Sequence, residues 1–227
     1  TGMPPTEGES LPMNPRCRFA AFVLAALLSL SALTPAASGA EQEDVSVATV
    51  ALFEEPPKVD GVIEPGEWDG AVQTVGFQTL RQSWLEGRMG STSCGFSRER
   101  LYIAVVSELP PDGQLVTNKK YRDSAVVHDD GIEIWLDPNR DTRGTPQGGR
   151  DYYQFIGNAD GVILDTRFDP DEGAPDLGWN GNWEFANTVD AERGVWVAEV
   201  SVPFADIGGG EADPLGRSIG VLVARNW

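Results

Sequence analysis

The chain has 227 residues, with 35 acidic against 17 basic side chains, one histidine and a formal charge of −18. No cation excess exists to displace phosphate counterions, which excludes a nucleic-acid partner, and the same balance disfavours an anionic membrane surface. One histidine and two cysteines supply no zinc ligand set.

Thr1–Pro12 reads as an upstream translated segment. Met13 opens a basic stretch with Arg16 and Arg18, the apolar run Phe19–Leu33 follows, and Ser38 and Ala40 are small residues at a cleavage boundary. That order defines a secretory signal peptide over Met13–Ala40 and implies a secreted or periplasmic protein, with no membrane insertion once the leader is removed. The apolar run is short for a membrane span. The mature part, residues 41–227, makes one domain of roughly 190 residues, large enough to bury a core without staples. Cleavage takes Cys17 away and leaves Cys94 in "STSCGFS" unpaired, a structural buried thiol.

Past the leader, alternating and β-branched runs predict strands at Val47–Leu52, Val75–Leu80, Thr92–Phe96, Leu101–Val106, Ile132–Leu136, Tyr152–Asn158, Val162–Arg167, Trp183–Val189, Val195–Val202 and Ile219–Ala224. Turn-rich pieces such as "EEPPKVDG", "PPDGQ" and "DAERG" separate them. "NADG" between two alternating runs predicts a hairpin at Asn158–Gly161. "PFADIG", Pro203–Gly208, allows one helical turn before a glycine stop, and no longer helical period follows the leader. Many short strands with regular turns make an all-β sandwich or barrel. The longest loops are Pro110–Asp130 and Asp169–Asn182, the second acidic, glycine-rich and carrying Trp179. Loops of that length are functional or disordered. A domain rarely stops flush with a core strand, so the ending "GVLVARNW" predicts that the domain, and further domains, continue beyond Trp227.

The stretch "DDGIEIWLDPN" carries the functional signal. Ile132, Ile134 and Leu136 share one strand face; Glu133, Trp135 and Asp137 share the other. An indole matches the C–H face of a pyranose, and a carboxylate accepts bonds from vicinal hydroxyls, each worth about 1.5–3 kcal/mol. The plainer reading is a glutamate paired with an arginine beneath a tryptophan that covers a sheet. In "DYYQFIGN", Tyr153 and Phe155 face the core, and Tyr152, Gln154, Ile156 and Asn158 face away. Were this strand to lie beside the first, a polar and aromatic patch would span both. Glu133 and Glu199 both sit in predicted strands and are a candidate acid pair for glycoside hydrolysis, which needs carboxyls roughly 5–10 Å apart. Asp137, Asn139 and Asp141, and separately Asp169 and Asp171, are spaced as the start of a calcium loop, without the glycine and glutamate that complete one.

Seven segments, in order, resemble carbohydrate-binding module family 9: "PKVDGVIEPGEWDGA", "ERLYIAV", "DDGIEIWLDPN", "YYQFIGNADGVILDTR", "WNGNWEFA", "GVWVAEVSVPFADIG" and "GVLVARN". The resemblance implies a two-sheet β-sandwich of about 10 strands with little helix. It implies a polysaccharide or oligosaccharide partner, accessory service to a glycoside hydrolase in carbohydrate catabolism, and structural Ca2+. Glu133 falls on the family's ligand-side glutamate, and Gln154 and Asn158 on its polar positions. The family clamps sugar between two tryptophans. Val127 and His128 stand where the first would be, the second would lie beyond Trp227, and Ile156 replaces a basic residue. Trp84, Trp135 and Trp179 are the candidate substitute platforms. The expected ligand set is thus Glu133, Trp135, Gln154, Asn158 and Trp179 with no catalytic residue. Part of a glycoside hydrolase and a non-binding architectural sandwich are the alternatives.

Overall fold

A computed structural model describes residues 47–80, 84–140, 151–169, 173–208 and 214–227. The leader Met13–Ala40, Asp141 and Asp171 lie outside the described residues. In chain order the strands are β1 (Val72–Val75), β2 (Gly90–Phe96), β3 (Arg100–Glu108), β4 (Gly131–Asp137), β5 (Tyr152–Asn158), β6 (Ile163–Phe168), β7 (Pro175–Asp176), β8 (Glu184–Asp190), β9 (Val195–Pro203) and β10 (Gly220–Asn226). They form two five-stranded antiparallel sheets, ordered β1-β2-β3-β9-β8 and β10-β4-β5-β6-β7. The fold is the expected all-β sandwich.

Period-two alternation decides which side chains meet between the sheets. Leu101, Ile103 and Val105 of β3 and Ala198, Val200 and Val202 of β9 oppose Ile132, Ile134 and Leu136 of β4 and Tyr153 and Phe155 of β5. Burying each large aliphatic or aromatic side chain contributes roughly 1.5–3 kcal/mol. Cys94 packs against this core, where burial pushes its thiol pKa up to about 11. The unpaired thiol is therefore a protonated filler at neutral pH.

The outer face of the first sheet is sealed by the chain's own N-terminal segment. Phe53 and Trp68 pack there on Tyr102 and Ala104. The Phe53 ring lies so close to Gly95 that an added Cβ would come within 2.1 Å of it.

Two expected strands are corrected. Val47–Leu52 makes only a bridge between Leu52 and Phe96, and Val47 stands exposed. At Val75–Leu80 the ladder instead ends with Val75, since Gly76 turns the chain at φ 85°. The following residues fold on themselves through Glu86 N–H to Phe77 O (2.7 Å) and Thr79 N–H to Trp84 O (3.1 Å).

The Asn158–Gly161 hairpin forms as expected. Asn158 N–H bonds Val162 O at 3.0 Å, and Gly161 supplies the left-handed residue at φ 79°. Pro203–Gly208 makes two overlapping turns, Asp206 N–H to Pro203 O and Ile207 N–H to Phe204 O, stopped by Gly208 at φ 69°. A 3-10 turn at Val126–His128 was not expected; it packs on β4 and β5 and buries Val126 completely.

Candidate functional site

Sheet register brings four of the expected residues onto one strand pair. Trp135 faces Gln154 directly, Glu133 faces Ile156, and Gly131 faces Asn158. On the other flank of β4, Ala224 lies opposite Glu133 and Asn226 opposite Gly131. The small Ala224 leaves the glutamate uncrowded on that flank. Ile132, Ile134 and Leu136 are each 1% exposed, whereas Glu133, Trp135 and Gln154 are half-buried on the outer face.

The Glu133 carboxylate gathers neutral donors. Its Oε1 accepts from Trp135 Nε1 at 2.5 Å and from Gln154 Nε2 at 2.6 Å, and its Oε2 accepts from Asn226 Nδ2 at 3.2 Å. Among the described residues no cation pairs with it. A carboxylate offers about four acceptor directions; three are used, and Oε2 keeps one. Asn226 joins the site although only the other residues were expected there. Its signal was available in "GVLVARN", where Leu222, Ala224 and Asn226 alternate onto the face that Glu133 occupies.

Trp135 does not stand free as a platform. Its ring stacks with Tyr152 at 5.8 Å between centroids and lies 5.2 Å from Phe168, and Tyr152 and Phe168 stack at 4.5 Å and 8°.

Asn158 lies at the closed end of this face, with none of its surface exposed. Its Nδ2 donates to Asp129 Oδ2 (2.9 Å) and Lys119 O (3.2 Å), and its Oδ1 accepts from Asp160 N–H (3.1 Å) and Val162 N–H (2.8 Å). These bonds commit the amide to holding the hairpin and the Pro110–Asp130 loop, so Asn158 supports the site from its closed end. Asp129 completes that support by accepting from the N–H groups of Asn118 and Lys119. Burial pushes its pKa up, but the bonds from Lys119, Asn158 and Asn118 outweigh this and hold the carboxyl below the usual range.

Trp179 falls on the wrong side of the sheet. Its ring packs on Tyr153 (5.1 Å) and Phe155 (5.9 Å), which are inner-face residues of β5. Strand alternation therefore separates it from Glu133 and Gln154 by the sheet itself. Trp84 is 62% exposed on the hairpin beyond β1.

Glu199 is no partner for Glu133. It projects from the first sheet, wholly buried, and accepts from Gly61 N–H (2.8 Å), Asp60 N–H (3.2 Å) and Trp68 Nε1 (3.0 Å). The two acids point away from each other on opposite outer faces of the sandwich, so they cannot flank one glycosidic bond.

Asp137 Oδ1 closes a turn by accepting from Asn139 and Arg140 N–H, and Arg167 engages Asp169 at 3.2 Å. Among the described residues no three His, Cys, Asp or Glu side chains converge on a metal-sized position. Nor is any helix among them long and apolar enough to cross a membrane.

No protein-family profile matches the chain, and no curated protein matches it. Solved structures do. A carbohydrate-binding module family 9 structure from Caldicellulosiruptor kristjanssonii, in complex with cellotriose, superposes with a TM-score of 0.52 at 12% identity, over 78% of this chain and 75% of that one. A Bacteroides uniformis protein assigned as carbohydrate-binding superposes with a TM-score of 0.54 at 12% identity, over 78% and 83%. At such identity the likeness is one of fold: the chain carries the two-sheet sandwich seen in carbohydrate-binding module family 9 structures.

Proposed function

We propose that this chain is an exported carbohydrate-binding module, accessory to carbohydrate catabolism, whose ligand meets the outer face of β4, β5 and β10. The observation that carries this reading is the Glu133 carboxylate, half-exposed on a sheet surface and held by three neutral donors, with no cation on it among the described residues. Its charge and its remaining lone pair stay available to a ligand. Gln154 Oε1 and Asn226 Oδ1 accept no hydrogen bond among the described residues, so the site is rich in acceptors. A polyol, whose hydroxyls donate, suits such a set. A cationic ligand would suit the charge equally, but the shared fold with a module solved on cellotriose favours an oligosaccharide.

The residues proposed to touch ligand are Glu133, Gln154 and Asn226, with Trp135 beside them and Asn158 at the closed end. The site sits on strands rather than loops, so little ordering is lost on binding. Affinity in the micromolar to millimolar range, roughly −4 to −8 kcal/mol, is expected. The leader Met13–Ala40 supports export. No step is assigned to calcium, because the described acidic residues do not form a cage for it. Calorimetry of the protein against glucans, xylans and mannans tests the reading. Saturable heat with one class supports it; no heat at millimolar ligand leaves the architectural reading.

A further inference from the structure

We infer that Trp135 is a positioning residue that fixes the Glu133 carboxylate through its indole N–H, and does not serve the ligand as a stacking platform. This rests on the carbohydrate reading above and assigns a mechanism to it. Three observations meet at this residue. The indole Nε1 donates to Glu133 Oε1 at 2.5 Å, two positions along the same strand. The ring is held by Tyr152 from β5 and Phe168 from β6, which are themselves cross-strand partners in a stack 4.5 Å apart. Gln154, directly opposite Trp135, sends its Nε2 to the same oxygen at 2.6 Å.

The geometry has a chemical consequence. Residues two apart on a strand point to the same side, so an unsupported glutamate there would sample several rotamers. Each rotamer frozen on binding costs about 0.5–1.5 kcal/mol. Two donors converging on Oε1 select one rotamer before any ligand arrives. They also leave Oε2, with its single 3.2 Å contact from Asn226, as the oxygen open to a hydroxyl. The aromatic stack keeps the donor in place: the indole cannot turn towards a ligand without leaving Tyr152 and Phe168. Phe168 thereby enters the site's support at one remove, through the ring it packs on.

The test separates the N–H from the ring. Trp135→benzothienylalanine keeps the fused rings and replaces the N–H by sulfur, and Trp135→Phe provides a second, smaller variant that keeps an aromatic ring. Titration calorimetry with cellotriose should show affinity falling about tenfold in both, while near-ultraviolet circular dichroism and thermal midpoint confirm that the benzothienyl variant is folded. In the wild-type protein, the Trp135 indole N–H proton should resonate downfield and move upfield in Glu133→Gln; a tryptophan that merely covers the sheet would not report that change. Unchanged cellotriose affinity in a folded benzothienyl variant, beside a wild-type protein that binds, overturns the assignment of Trp135 alone. Absence of binding by the wild-type protein to cellotriose and to the glycan panel overturns the carbohydrate reading itself, and the role of Trp135 with it.

Discussion

Replacing Glu199 with alanine would strand the donors that fasten the N-terminal segment to the first sheet. Trp68 Nε1–H and Gly61 N–H meet the carboxylate in buried surroundings, and Asp60 N–H meets it at the margin. An orphaned buried donor costs about 1–3 kcal/mol. Two such donors, with a cavity where the carboxyl stood, give an expected loss of roughly 3–5 kcal/mol. For a domain of this size that lowers the thermal midpoint by about 10 °C. Glu199→Gln keeps one acceptor oxygen and should lose about 1–2 kcal/mol. The loss should also be local: Phe53 and Trp68 would lift off Tyr102 and Ala104, and trypsin would cut after Lys58 faster than in wild type. Burial raises the Glu199 pKa, against the opposing pull of its hydrogen bonds. A carboxyl raised in the folded state is less favourable ionised than in the unfolded chain. Wild type should therefore gain on Glu199→Gln as the pH falls through the folded pKa towards the unfolded value, and lose that gain as the pH rises back through the folded pKa. Urea titrations of the three proteins at several pH values check this. A Glu199→Ala loss below about 1 kcal/mol, with unchanged cleavage at Lys58, would refute the claim that this carboxylate holds the segment down.

Other outcomes follow from the same contacts. Glu133→Gln should weaken oligosaccharide binding about tenfold by calorimetry, with a small change in thermal midpoint, because the site is half-exposed and Asn226 can turn its amide to match. Asp129→Asn removes an acceptor that three donors share, and should cost roughly 2–3 kcal/mol in denaturant titrations. Because the Asp129 carboxyl titrates below its usual range, its contribution is present at neutral pH and is lost as the pH falls through the folded value. The difference between wild type and Asp129→Asn should shrink accordingly in acid. Cys94 is partly buried and its thiol pKa is raised to about 11, so it should react with a disulfide reagent at neutral pH more slowly than an ordinary thiol and faster as urea opens the domain; labelling kinetics against urea concentration measure this.

Much of the sandwich could be read from alternation because both sheets bury one face and leave the other to something else. β4 and β5 were legible to within a residue at each end, since their inner positions are continuously apolar. The Asn158–Gly161 hairpin was legible because turn chemistry is local. What alternation does not encode is which surface covers an outward residue. Val47–Leu52 looked like a strand because it is rich in β-branched residues, yet Val47 stands exposed and only Leu52 bridges to Phe96. Trp179 looked like a ligand platform because it stands in a long acidic loop, but that loop folds its ring back onto Tyr153 and Phe155. Asn158 had the right residue type on the right face, but the 3-10 turn and the Pro110–Asp130 loop close over that end. Tertiary covering of this kind depends on segments more than twenty residues away, which no local pattern records.

The two outer faces of the sandwich then read as variations on one device. Each sheet carries a glutamate at an outward position near the middle of a strand, and each glutamate accepts an indole N–H: Trp68 to Glu199 on the first sheet, Trp135 to Glu133 on the second. On the first sheet two further acceptor directions are taken by the backbone N–H groups of Asp60 and Gly61, delivered by the chain itself, and the acid is wholly buried. Gly61 is the residue that fits there, because its φ is +86° and a Cβ on it would come within 2.8 Å of the Asn187 backbone. On the second sheet Gln154 and Asn226 supply donors from the flanks, but among the described residues no backbone N–H meets the carboxylate, and Oε2 of Glu133 is left with a single long bond. A burial cost that the first sheet meets with its own backbone is thus avoided on the second by leaving the acid half in water. Hydroxyl groups brought by a ligand would stand to Glu133 as Asp60 and Gly61 stand to Glu199, which is why the open face, and not the sealed one, is where binding is expected.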